Sequence, residues 1–201
     1  KQQMIQILEL IKHFVLGIVS AILFTTIAMS DITKTKEYNT TFKKVQQEFP
    51  EGSFQREIPV AVGASIAYLE TRGFGFEGAP TAKAANNFHG MHASPNYIKN
   101  NPDKYMTTTG GANIRKYDNL ESSIRSVLNL LATDDRYEDV RKAKGKGVEA
   151  MLKGMSPYAQ DPNYVEKLLS VYKNQIKAVL ETQNMLVPKV KSLDQQMNNL
   201  K

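Results

Sequence analysis

The chain has 201 residues, 41% of them hydrophobic and 23% charged, the size and balance of one globular domain with additions at its ends. It contains no cysteine, which excludes disulfide staples and thiolate metal sites. A net charge of +6 suits an anionic polymer, phospholipid headgroups or nucleic acid, and equally plain solubility, while charge without an aromatic and basic motif does not argue for nucleic acid.

At the N-terminus, Phe14 to Met29 is an unbroken run of apolar and small residues between Lys12 with His13 and Asp31. It is slightly shorter than the ~20 residues that span a bilayer, and Ile7, Leu8, Leu10 and Ile11 would extend it through Lys12. Residues 1–32 are therefore expected to form a hydrophobic helix that anchors the chain in a membrane or directs its export. Ala28, Met29 and Ser30 place small residues where a signal peptidase cuts, before Asp31. A buried core helix is the third reading. From 33 to 57 the chain turns polar, with Tyr38, Phe42, Val45 and Phe49 at helical spacing, which predicts a helical lead-in ending at Pro50 and Gly52.

The run Ile58 to Leu69 is apolar nearly all round, the pattern of a buried helix, with Pro59 at its start and Gly73 as its stop. Glu70 is the lone carboxylate of that helix and sits in its last turn. Burial and the partial negative charge of a helix C-terminus both raise a carboxyl pKa, so Glu70 is the candidate general acid. A solvated helix end is the alternative. Gly73 to Pro80 is a loop whose Phe74 and Phe76 either stack on a ligand at the lip of a cleft or plug the core.

Asn86, Asn87, Phe88, His89 and Gly90 follow. The asparagines suit the backbone of a tight turn, and Gly90 admits close backbone approach. His89 and His92 invite a zinc reading, but no third ligand is evident. Thr107 to Ile114 reads as a β-hairpin turning at Gly110 and Gly111. Asp118 is expected to cap the next helix, reciprocated by Glu121. That helix carries the stripe Leu120, Ile124, Val127, Leu128 and Leu131, and another carries Val148, Met151, Leu152 and Met155. Between them runs a glycine- and lysine-rich loop. Asp161-Pro162 marks the start of a long amphipathic helix through Val165, Leu168, Leu169, Tyr172, Ile176, Val179 and Leu180. Pro188 ends it, and the rest of the segment 176–201 is a polar tail.

Taken in order, YLETRGFG, AANNFHGMHA, KYDNLESSIRSVLNLL and SPYAQDPNYVEKLLSVYKN resemble the bacterial cell-wall glucosaminidases of glycoside hydrolase family 73, similar to flagellar rod-associated peptidoglycan hydrolases and autolysins. The resemblance runs from about Pro59 to Lys173 and implies a mainly α (α+β) fold, a lysozyme-like helical domain with a small β-hairpin lobe, over 58–175. It implies hydrolysis of the β-1,4 bond between N-acetylglucosamine and N-acetylmuramic acid in peptidoglycan, with Glu70 as acid and no cofactor or metal. The glutamate of that family precedes serine, glycine, tryptophan and glycine. Here Thr71 and Arg72 intervene and Phe74 stands for the tryptophan, so Phe74, with Asn87, Phe88 and His89, is expected at the substrate. A family tyrosine near the cleft, implicated in catalysis, corresponds to Tyr158, which the resemblance nominates as a substrate-positioning hydroxyl, with a half-buried packing tyrosine as the alternative. The second carboxylate that many relatives carry in the β lobe has no glutamate counterpart, which leaves Asp103 as the nearest acid, either catalytic or a turn residue. That gap keeps open a non-catalytic wall-binding component of an envelope machine or phage particle, beside muramidase or lytic transglycosylase chemistry on the same fold. The expected location is the cell envelope, outside the cytoplasm.

Overall fold

The structure is a computed structural model that describes residues 32–183. The apolar run Phe14 to Met29 and the tail beyond 183 lie outside the described residues, among which no helix is long and apolar enough to cross a membrane. Contacts group the chain into Lys1–Lys34 and a compact unit, Thr35–Lys201.

Helix α1 (32–47) presents Tyr38, Phe42 and Val45 to the interior, where each is almost fully buried. A short helix α2 (Phe54–Glu57) follows, and then α3 (Val60–Thr71). α3 is the central helix, buried along its length because Ala61, Gly63, Ala64, Ser65 and Ala67 let neighbours close on every side. Gly63 is required: a Cβ there would fall 2.2 Å from Phe42 Cε2. The lead-in is thereby part of the core, since Tyr38 and Phe42 belong to the same apolar cluster as Ile66, Leu128 and Leu152. Ser65 and Thr71 return their hydroxyls to the carbonyls of Ala61 and Ala67, at 2.7 and 2.6 Å, so their burial leaves no donor unmet.

α3 ends one residue earlier than Gly73 suggests. Arg72 adopts the left-handed conformation (φ 53°), and Gly73 N–H bonds the Tyr68 carbonyl at 2.9 Å. Two short helices, α4 (Pro80–Ala84) and α5 (Pro95–Asn100), precede the β lobe. The lobe is the antiparallel pair β1 (Tyr105–Thr107) and β2 (Asn113–Arg115), with Met106 opposite Ile114. His92 bridges to Ile114 on the other edge, which fastens the segment after Gly90 to β2.

α6 (Leu120–Thr133) buries the expected stripe. Its cap is Asn119, whose side chain accepts from Ser122 N–H; Asp118 instead pairs with Lys104 at 2.8 Å. A carboxylate one residue too early is drawn to the nearest ammonium rather than to the helix end. α7 (Glu138–Lys142) and α8 (Val148–Lys153) follow, and then α9 (Tyr164–Val171). α9 packs on α3 and runs through a π-helical turn, Tyr172–Ile176, into further helix to residue 183. The Asp161 carboxylate accepts from Asn163 N–H and Lys167, so it braces the turn ahead of α9.

Candidate active site

Glu70 lies in the last turn of α3, half-buried, at the floor of a cleft of about 520 Å³. The rest of its lining comes from Gly90 to His92, Arg115, Leu130, Arg136, Tyr137 and the stretch Pro157 to Gln160. Tyr164, at the start of α9, donates its hydroxyl to Glu70 Oε1 at 2.8 Å. Burial raises the Glu70 pKa, and the Tyr164 hydrogen bond opposes that in part. The carboxyl is thus inclined to hold its proton while staying oriented.

Two further features fix its position. Gly90 (φ 62°) presses against the carboxylate so closely that a Cβ there would stand 2.3 Å from Glu70 Oε2. The turn that delivers Gly90 is clamped by Asn87, whose amide donates to the Met91 carbonyl and accepts from Met91 N–H, each at 2.9 Å. Tyr158 stacks on Tyr164 with ring centroids 5.7 Å apart, and donates its hydroxyl to the His89 carbonyl. Burial first, and then the Glu70 charge, push the Tyr158 pKa upward, so the phenol stays protonated. Its hydrogen is committed to the His89 carbonyl, and its oxygen lone pairs remain to accept.

Beneath the site, His89 is fully buried, with Nε2 2.7 Å from Tyr38 Oη and Nδ1 2.9 Å from Ser123 Oγ. Burial lowers its pKa to about 3, so it is a neutral strut between α1, the Asn87 turn and α6.

A carboxyl holding a proton on the floor of a groove, oriented by a phenol, is the equipment of a general acid. The model of a family described as mannosyl-glycoprotein endo-beta-N-acetylglucosaminidase matches residues 46–177. The chain belongs to the glucosaminidase family. No curated protein matches this glucosaminidase, but solved structures share its fold. The peptidoglycan hydrolase from Sphingomonas sp. A1 is 20% identical with a TM-score of 0.52, over 71% of this chain and 88% of that one. The catalytic domain of the autolysin Auto from Listeria monocytogenes is 16% identical with a TM-score of 0.52, over 77% and 88%. The glycoside hydrolase domain of FlgJ from Salmonella typhimurium is 21% identical with a TM-score of 0.50, over 81% and 98%.

The residues singled out in the sequence of this glucosaminidase separate into two groups. Glu70 and Tyr158 meet in the cleft. Phe74 does not: it is 8% exposed and packs on Tyr38 and on the edge of Tyr68. With φ 61° at Phe74 the backbone turns its ring inward, so it plugs the core and offers no sugar platform. Asn87 and His89 are buried supports, and half-buried Phe88 sets its ring edge-on to Phe76. None of the three lines the cleft, because Asn87 turns to its own backbone, Phe88 to an aromatic partner and His89 to the interior. Asp103 is exposed in the turn before β1 and lies outside the cleft lining. Among the described residues no three His, Asp or Glu side chains cluster in a way that could hold a metal ion. Sequence reasoning missed Tyr164, Gly90 as a direct neighbour of the acid, and Arg115. The signal for Tyr164 was present: it opens the helix announced by Asp161-Pro162, six residues after Tyr158.

Proposed function

We propose that this glucosaminidase hydrolyses the glycan strands of bacterial peptidoglycan, cutting the β-1,4 bond on the reducing side of N-acetylglucosamine with Glu70 as general acid. The observation that carries the reading is the Glu70 carboxyl, half-buried, raised in pKa and held by Tyr164 at a cleft of about 520 Å³. Family membership supports the class of bond, and the hydrolases that share the fold support the polymer.

Glu70 is the one carboxylate lining the cleft among the described residues. The exposed position of Asp103 supports substrate assistance: the 2-acetamido oxygen of the sugar attacks C1 as Glu70 passes its proton to the departing oxygen, and water then opens the resulting ring with Glu70 as base. Tyr158, its proton committed to the His89 carbonyl, offers an acceptor for the acetamide N–H. Two displacements at one carbon retain configuration. Asp103→Asn is therefore expected to stay active and to give the retained anomer, read by proton NMR before mutarotation. An inactive Asp103→Asn, or inversion, would return the role of base to Asp103.

The deciding assay is digestion of purified peptidoglycan with mass spectrometry of the new ends. Reducing N-acetylglucosamine supports the proposal; reducing N-acetylmuramic acid means a muramidase, anhydro ends a transglycosylase, and no product a binding protein. Placement outside the cytoplasmic membrane, supported by the Phe14 to Met29 run, is part of the same proposal. A C-terminal reporter active only after export should give signal, and one active only in the cytoplasm should not.

A further inference from the structure

Glu70 shares its cleft with two guanidiniums, Arg115 and Arg136, and the two are held differently. Arg136 is neutralised in place: its Nε and Nη2 donate to the two oxygens of Asp134 at 3.0 and 2.8 Å. Arg115 is held by uncharged groups. Its Nε donates to the His92 carbonyl at 3.2 Å and its Nη1 to Ser126 Oγ at 3.2 Å, and the guanidinium lies 4.4 Å above the Tyr97 ring. No carboxylate among the described residues forms an ion pair with it.

These contacts, with a further hydrogen bond between Arg115 and Tyr117, fix the fork at the cleft without supplying a counter-charge. An incoming carboxylate would supply the counter-charge that the half-buried guanidinium lacks among the described residues. The location is also built. Arg115 N–H bonds the Met91 carbonyl at 2.9 Å, and Met91 follows the Gly90 that abuts Glu70, so one backbone connection sets the spacing between acid and cation.

We propose that Arg115 is the carboxylate-binding residue of the cleft, taking the acidic substituent on a sugar next to the scissile bond. The inference rests on the peptidoglycan reading above. In that polymer every second sugar bears a lactyl ether whose carboxyl is free in stripped strands and is otherwise extended by a peptide stem with carboxylates of its own. Arg115 thus separates acid-bearing strands from neutral N-acetylglucosamine polymers, a choice that Glu70 alone does not make.

The test uses Glu70→Gln protein, which binds without turnover, and calorimetric titration with three probes: a peptide-free N-acetylglucosamine–N-acetylmuramic acid tetrasaccharide, the same with stems, and neutral chitotetraose. An acid-bearing probe should bind about tenfold or more tighter than chitotetraose, the scale of a charge-assisted hydrogen bond, and added salt should erode that ratio. Adding Arg115→Gln should bring the ratio near one while the chitotetraose affinity holds. Loss with the peptide-free probe assigns the lactyl carboxyl; loss with the stem-bearing probe alone assigns the peptide. If Arg115→Gln does not fold, Arg115→Lys should keep part of the ratio, and the salt dependence with Arg115 intact still decides. A ratio near one with Arg115 intact, one unchanged by its loss, or no binding of any probe overturns the proposal. Failure of the peptidoglycan reading is seen separately, as wild-type protein that leaves the polymer uncut.

Discussion

Gly90→Ala tests whether the acid works because of where it is held. The new Cβ would meet Glu70 Oε2 at 2.3 Å, Cδ at 2.8 Å and Cγ at 3.1 Å. Restoring ordinary contact requires the carboxylate to retreat by ~1 Å, and a displacement of that size costs on the order of 100-fold in rate. The same substitution places a side chain at φ 62°, a left-handed conformation that costs roughly 1–2 kcal/mol. Gly52→Ala separates the two effects, because Gly52 has φ 74° and no atom within 4 Å of its Cβ position. Both variants should melt a few degrees lower, and only Gly90→Ala should lose activity. Initial rates of reducing-end release from purified peptidoglycan, with thermal melts of each protein, provide the comparison. Near wild-type rates in a folded Gly90→Ala would refute the argument that this contact positions the acid.

Glu70→Gln should cut the rate by ~100-fold or more, the lower range for loss of a general acid. It should also stabilise the fold at neutral pH: the folded carboxyl is raised above its ordinary value of 4.5, so its contribution is present below that pH and lost as pH rises. The melting-temperature gain of the variant should therefore grow from acid to neutral pH, and a gain that is flat with pH would contradict the burial. Tyr164→Phe removes the interaction that lowers the Glu70 pKa, so the alkaline limb of the pH–rate profile should move to higher pH, and an unmoved limb would remove Tyr164 from the tuning of the acid. His89 is depressed from 6.5 to about 3, so its contribution is complete above pH 6.5 and disappears as pH falls, a loss of about 3 kcal/mol by pH 4. Urea unfolding over that window should show the slope, and His89→Gln, which cannot charge, should lack that component.

The local parts of the site were legible in order. An apolar helix with small residues and a single carboxylate in the last turn depend on neighbours within a few positions, and α3 with Glu70 forms as those patterns require. The hairpin at Gly110 and Gly111 and the stripe of α6 are legible for the same reason. Side-chain direction in loops was not. Phe74 and Asp103 both sit in turns, yet the first is buried in the core and the second is left in water, and composition does not encode that choice.

What the sequence alone determined about this protein is the family, the helical class and the place of a lone carboxylate in the last turn of α3, because motifs and periodicity are written in short stretches of chain. The tertiary structure alone decided what surrounds that acid. Tyr164 reaches Glu70 across a separation of 94 residues, Gly90 arrives on a turn clamped by Asn87, and Arg115 is brought in by β2. The first contact exists because α9 packs on α3, and the others because backbone hydrogen bonds tie the segment after Gly90 to β2, and contact between distant segments is a property of the closed chain rather than of any of its parts.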